Sequence, residues 1–412
     1  MLKKIMFCFL FCITLSNYIF AEDSLFDSAM EMSDNSGGKK LSYTINGNLK
    51  SAIYSNDSLD DFSNSYSQLS LKFNMKKGEF GDGYANIIID NKSIILREAY
   101  LNYYFKNLDF RIGKQIISWG RSDGINPTDN ITPKDLNILS SESDDQKLAN
   151  FMLKSKISLN NIRIIGLFIP KYSSSPNLKT GEDILEGDYK NYETKALKVN
   201  FEFPVVDTSI SYVNGYSLNR GIAVDSSKTT PTPILIPYKE EVYGADFSTT
   251  IKSYRISGEC AYKNYLENEK YYIPYSELEY TLSVDKTFLK SISTIFQYYE
   301  KYIDEYKDLK ITPYYDVEMR NRLISKQTAK IQNSLLYKID WSLMYEQLHI
   351  ENVGSYNLTT KESIFKTKIS YNITDDFIAI LGNDSYFGDK GTLIDLIKDD
   401  LNRNYLELKI SF

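Results

Sequence analysis

The chain has 412 residues, 42% hydrophobic and 14% aromatic, with 48 basic against 54 acidic side chains and a net charge of −6. No basic cluster points to nucleic acid. A single histidine, His349, excludes a histidine-based triad or a multi-histidine metal site within one chain, and phosphate-loop and dinucleotide motifs are missing. No catalytic residue, metal or cofactor is expected, and the chain does not read as an enzyme.

Residues 1–21 divide into a basic start with two lysines, an apolar run over Ile5–Leu15 and a short lead to a cut after Ala21. That is a secretory signal peptide, because the apolar run is too short to span a bilayer. Cys8 and Cys12 leave with it, so Cys260 stands alone and no disulfide framework exists within one chain. Residues 22–40 are polar and predict a flexible periplasmic tail. No later run is long and apolar enough for a membrane helix.

From residue 41 the chain alternates polar and apolar side chains. In Arg97–Gly120 a turn at Lys106-Asn107 pairs Phe105 with Leu108, Tyr103 with Phe110 and Leu101 with Ile112 on one oily face. The other face pairs Tyr104 with Asp109, Asn102 with Arg111, Tyr100 with Gly113 and Glu98 with Gln115. A one-residue slip would invert every side chain, so the pattern specifies the register. Arg97 and Lys114 misfit on the oily face and call for a bulge or for snorkelling. A turn at Asn160-Asn161 sorts the next hairpin the same way, with Lys154, Lys156, Ser158 and Arg163 on the polar face. Further alternating segments run through Leu197–Phe203, Leu278–Val284, Trp341–Tyr345 and Phe365–Tyr371.

Short turns are expected near residues 76–78, 106–107, 160–161, 204–205, 252, 285–287, 338 and 372–375. Longer segments fall between them, at 55–64, 118–149, 171–191, 217–238, 264–270, 301–321, 351–361 and 384–402, with 90–92 a short exception. Alternation of short and long connections is the sidedness of an up-and-down transmembrane β-barrel, with tight periplasmic turns and longer outer loops. About 18 strands are predicted, with 16 the next choice. The 34 tyrosines suit strands and water–lipid boundaries. A soluble β-sandwich also alternates, but one this long should split into domains, and residues 41–412 show no linker.

The loop after the fifth strand, Trp119–Gln146, differs from the others. Asn126-Pro127 forces an extended or turn conformation. Thr132-Pro133-Lys134-Asp135 has the form of a helix start, with Thr132 as N-cap, and predicts a short helix that sends Leu136 and Leu139 inward. The loop carries a charge of −4, from six acids and two bases. It is expected to fold into or over the mouth, with Arg121, Asp123, Asn126, Asp129 and Asp135 the candidate constriction; a brace at the rim is the plainer alternative. A calcium site from Asp123, Asn126, Asp129 and Asn130 is a weaker third reading. Glu98, Asn102, Asp109, Arg111, Gln115, Lys154, Lys156 and Arg163 are the candidate lumen lining. The inward charges nearly balance, with a local basic patch at Lys154, Lys156 and Arg163.

The chain closes on NYLELKISF, in which Leu406, Leu408, Ile410 and Phe412 share one face. This terminal strand resembles the assembly signal of outer-membrane barrels, which implies the barrel-assembly machinery and outer-membrane lipid as partners. Arg97-Glu98-Ala99-Tyr100, then Arg111–Gln115, then Trp119-Gly120-Arg121 with Asp123 and Asn126-Pro127 resemble a family of Gram-negative outer-membrane porin-like proteins of undefined function. That family is similar to the alginate-export and phosphate-selective porin groups. The resemblance implies a channel for small solutes and matches no solute-binding residue. The alternative is a surface-binding or adhesion protein that uses the barrel to anchor its loops. A homo-oligomer or a periplasmic partner is compatible with either.

Overall fold

The computed structural model describes residues 41–412 apart from 57, 58, 60, 63, 177–184, 187–191, 226–230 and 268. The leader and tail expected over 1–40 lie outside the described residues. Among the described residues nineteen strands form one sheet, and one of them, Leu185–Glu186, is only two residues long, which leaves eighteen in the wall.

In chain order these are β1 (Leu41–Ser55), β2 (Asn64–Lys77), β3 (Gly81–Asp90), β4 (Ile94–Phe105), β5 (Leu108–Gln115) and β6 (Asn150–Leu159). Then come β7 (Ile162–Ile169), β8 (Thr194–Glu202), β9 (Val206–Asp225), β10 (Thr232–Ile251), β11 (Tyr254–Tyr265) and β12 (Glu277–Phe288). The last are β13 (Ile292–Ile303), β14 (Ile331–Leu343), β15 (Leu348–Asn357), β16 (Ser363–Asn372), β17 (Phe377–Phe387) and β18 (Arg403–Ser411). Each wall strand pairs antiparallel with its sequence neighbours, and β1 pairs with both β2 and β18, so the sheet closes. Closure removes the free edges that an open sheet would present.

The β4–β5 register is the one the alternation specifies over Phe105↔Leu108 through Tyr100↔Gly113. Leu101, Tyr103, Phe110 and Ile112 are exposed on the outer face. The expected Glu98–Gln115 pair does not form. A bulge opposite Asn86/Ile87 shifts β4 there, so Glu98 instead accepts the Ile116 amide at 2.9 Å. The same bulge re-aims Arg97 toward Asp145, 3.1 Å away, and Lys114 reaches back to the Leu96 carbonyl at 2.7 Å. In the β6–β7 hairpin, Leu159 faces Ile162 and Ile157 faces Ile164, as expected.

Several boundaries differ. The turn expected at 285–287 lies beyond Phe288, and the one expected at Lys338 lies beyond Leu343, because both strands alternate further than the polar residues suggest. His349 is therefore beside a short turn at the start of β15, not at the long-loop rim. The predicted loop over 217–238 is largely strand, since β9 and β10 each run for 20 residues. Among the described residues two α-helices stand in long connections, α1 (Tyr315–Ile324) and α2 (Leu393–Leu401).

No helix forms at Thr132. Its hydroxyl accepts the Ile117 amide at 3.0 Å and donates to the Ile117 carbonyl at 2.6 Å, so it ties two arms of the loop together instead of capping. The helical turn of this loop is a 3-10 turn at Ser143–Gln146. Leu139 packs inward, while Leu136 is exposed.

Candidate functional site

The loop between β5 and β6 enters the barrel and seats in two lobes. Its first lobe, 117–132, is held by an apolar patch where the wall breaks its own pattern. Met152, Leu167, Ile169, Ala196, Val213, Val242 and Ala261 point inward from β6–β11 and bury Ile117, Trp119 and Ile131 of the loop. Water leaves both surfaces, which favours the seated loop. The sequence signal for this seat is the run Ile164-Ile165-Gly166-Leu167-Phe168-Ile169, apolar on both faces of β7.

Around that patch, wall side chains satisfy the loop backbone. Glu259 of β11 accepts the amides of Arg121 and Ser122 on Oε1, at 2.6 and 2.7 Å. Its Oε2 accepts the Thr128 amide and hydroxyl at 3.3 and 2.9 Å. Gln297 of β13 accepts the Ile125 amide and donates to the Ile125 carbonyl, at 2.8 and 2.9 Å. Asp246 of β10 holds Arg121 at 2.6 Å and Lys198 at 2.9 Å. At the far tip Arg255 donates to the Arg121 carbonyl and pairs with Asp123. The lobe thus crosses from β5 to the β11–β13 wall.

The second lobe, 134–147, turns the other way. Leu139 packs with Tyr54, Tyr405 and Ile380 of β1, β18 and β17. Ser141 donates to Glu407 at 2.9 Å. Asp145 receives Lys50 of β1 at 2.7 Å and Arg97 of β4 at 3.1 Å, and Arg97 also donates to the Asp144 carbonyl. Burial pushes the Asp145 carboxyl up, but the Lys50 charge and hydrogen bond, the Ser140 hydroxyl and Arg97 outweigh it and leave the group below the ordinary range.

The five candidate constriction residues divide by role. Arg121 and Asp123 reach the opposite wall. Asn126 and Asp129 work inside the loop: Asn126 donates to the Trp119 carbonyl at 2.6 Å, and Asp129 accepts the Trp119 amide at 3.0 Å. Burial raises the Asp129 carboxyl above its usual range. Asp135 accepts from Asn137. The four oxygen-bearing residues weighed for calcium are spread over these jobs, and no cluster of metal-binding acids occurs among the described residues. Most loop acids are met by bases: Asp145 by Lys50 and Arg97, Asp123 by Arg255, Asp144 by Lys147, and Glu142 by Lys409 at 3.9 Å.

Among the candidate lining residues, Gln115 is fully buried and donates to the Met152 carbonyl at 3.1 Å, bracing the loop base. Asn102 accepts Arg111 and donates to Asp82. Lys156 pairs with Asp109 at 2.5 Å, and Arg163 with Glu202 at 2.7 Å. Lys154 stands directly opposite Arg111. The motif around Arg97, Glu98, Gln115, Trp119, Gly120 and Asn126 thus converges on the loop base. Gly120 adopts φ 92°, where a side chain would be strained and would strike Asn126. Sequence reading missed Glu259, Asp246 and Gln297, which look like ordinary inward polar positions of their strands.

A family model described as "Protein of unknown function (DUF1302)" matches residues 39–161, the span that holds β1–β6 and the loop. No curated protein matches the chain in sequence. The crystal structure of Pseudomonas aeruginosa OccK11 (OpdR) is similar at a TM-score of 0.55 and 10% identity, over 90% of this chain and 96% of that one. Pseudomonas aeruginosa OccK3 (OpdO) is similar at 0.55 and 9% identity, over 95% and 99% of the two chains. Acinetobacter baumannii OccAB1 gives 0.54 and 9% identity, over 93% and 98%. The likeness is one of fold, across nearly the whole barrel.

Proposed function

We propose that this chain is an outer-membrane channel through which small solutes diffuse passively, with the β5–β6 loop setting the narrowest part of the path. The observation that carries the proposal is a closed wall, oily outside and polar inside, crossed by a loop that the wall is built to receive. Outward residues such as Leu101, Ile112, Leu282, Phe296 and Leu381 suit lipid, while Lys, Glu, Asp and Asn side chains line the interior. The short turns then face the periplasm and the long loops the outside. The likeness of the fold to the Occ structures supports the reading. So does the motif's resemblance to the alginate-export and phosphate-selective porin groups, whose solutes are not carried over to this chain.

Mechanistically, the loop trades open cross-section for selectivity. Charges beside a narrow path act at short range and are screened less than charges on an open surface. Because bases of the wall or of the loop itself meet most of its acids, the loop's formal −4 does not by itself make the path cation-selective. Single-channel recording of the purified protein in a planar bilayer tests the proposal. Discrete open steps are expected, and a folded barrel that stays silent overturns it.

A further inference from the structure

The two lobes of the loop leave one sector of the wall uncovered. The first lobe occupies β6–β13, where Ile125 is clamped by Gln297. The second occupies β17, β18, β1 and β4, through Leu139, Ser141 and Asp145. Among the described residues no hydrogen bond or ion pair joins the loop to β14, β15 or β16, where only the tip at Gly124 comes beside a wall side chain, Leu336 of β14. β2 and β3 lack such bonds too, but their inward Ser70 and Asn86 are buried. Under the lobes, Lys198 and Lys50 are 7% and 5% exposed. On β14 and β16, Lys338 and Lys366 are 38% and 42% exposed, although, like Lys198, they stand only a few residues from the short-turn ends of their strands. Below the first lobe Lys156 and Arg163 are 34% and 43% exposed, so the contrast is confined to the level of the lobes.

We infer that at the level of the loop the solute path is eccentric and runs along β14–β16, between Lys338, Glu351, Lys366 and Lys368 on the wall and Asp123 at the loop tip. The inference rests on the channel reading and adds where the channel is. Lys338 and Lys368 both pair with Glu351, at 2.7 and 3.2 Å. Lys366 lies 3.7 Å from Asp384, a carboxylate already held by Arg403 at 2.8 Å. Lys366 is thus the least neutralised base on this strip and the residue placed to bias which charged solutes pass. Arg255 and Asp123 at the loop tip form an ion pair half open to water, and Arg255 also pairs with Asp285 at 3.3 Å. A path with lysines on one side and an aspartate on the other orients a dipolar solute as it enters.

The test uses single cysteines in a Cys260→Ser background, with barrel assembly checked by heat-modifiable electrophoresis. A bulky, charged, membrane-impermeant thiol reagent should label Lys366→Cys in intact barrels and cut its single-channel conductance by about half or more, as obstruction of a narrow path requires. Ala196→Cys, beneath the first lobe, should neither label nor change. Lys338→Cys is the second position on the same wall. Lys366→Glu should shift the reversal potential in a salt gradient toward cations. If position 196 labels and blocks while 366 and 338 do not, the path lies elsewhere. Labelling is read without conduction, so a silent barrel that still labels at 366 and not at 196 sinks the channel reading and leaves the opening along β14–β16 standing.

Discussion

Glu259 is the residue on which the first lobe depends most. One carboxylate accepts three backbone amides and a hydroxyl, and its removal strands buried donors that cost roughly 1–3 kcal/mol each. Glu259→Ala should leave an assembled barrel whose conductance is larger and noisier than wild type; unchanged single-channel traces would count against the clamp. Asp129 and Asp145 respond to pH with opposite sign. The folded carboxyl of Asp145 lies below the ordinary 3.8, so its clasp is fully formed above that value and is lost as pH falls through the lower, folded one. The raised carboxyl of Asp129 favours the fold at low pH and opposes it as pH rises through the folded value. Asp129→Asn, which can still accept the Trp119 amide, should therefore keep wild-type conductance at neutral pH, whereas Asp145→Asn should raise it. Recordings of the two variants side by side decide this.

Among the elements, the strands carry the outward oily face and the seam carries closure. Leu101 faces out and Asn102 in, from adjacent positions of β4. Arginine at Leu101 should cost roughly 2–4 kcal/mol if it lies near mid-bilayer, while Asn102→Arg should cost much less. Urea titration of the two variants in lipid vesicles measures the difference, and equal losses would mean the faces are misassigned. At the seam, Phe412 and Gly47 exchange backbone hydrogen bonds of 2.9 and 3.0 Å just past the end of β18. Phe412→Ala should lower the amount of assembled barrel, by weakening both the seam and the terminal strand expected to engage the assembly machinery. The band of heat-modifiable protein in outer-membrane fractions reports it, and wild-type levels would remove Phe412 from that role.

At the scale of the molecule, in the proposed channel the barrel is a frame and the loop is the part that renders it selective. Deleting Asp123–Asp145 should raise conductance, because the tip of the first lobe and nearly all of the second leave while the wall keeps its pairing. A deleted barrel that assembles and conducts as wild type would make the loop a brace. Neutralising Asp123, the loop acid at the tip facing the uncovered wall, should move ion preference more than neutralising Asp135, which is engaged with Asn137. Reversal potentials of Asp123→Asn and Asp135→Asn in the same gradient test that ranking.

The sequence by itself determined the two faces of the strands, the hairpin registers at Lys106-Asn107 and Asn160-Asn161 and the broad alternation of short and long connections. Each follows from a period of two read over a few neighbouring residues, which is local information. It also marked the β5–β6 loop and foresaw that Arg97 and Lys114 needed a bulge or a snorkel. Only the tertiary structure decided which remedy each took, that Thr132 ties the loop base instead of starting a helix, and that Glu259, Asp246 and Gln297 receive the loop. Those contacts join residues more than a hundred positions apart. No local pattern encodes such a meeting, because an inward carboxylate looks the same in sequence whether water or a distant loop fills the space before it.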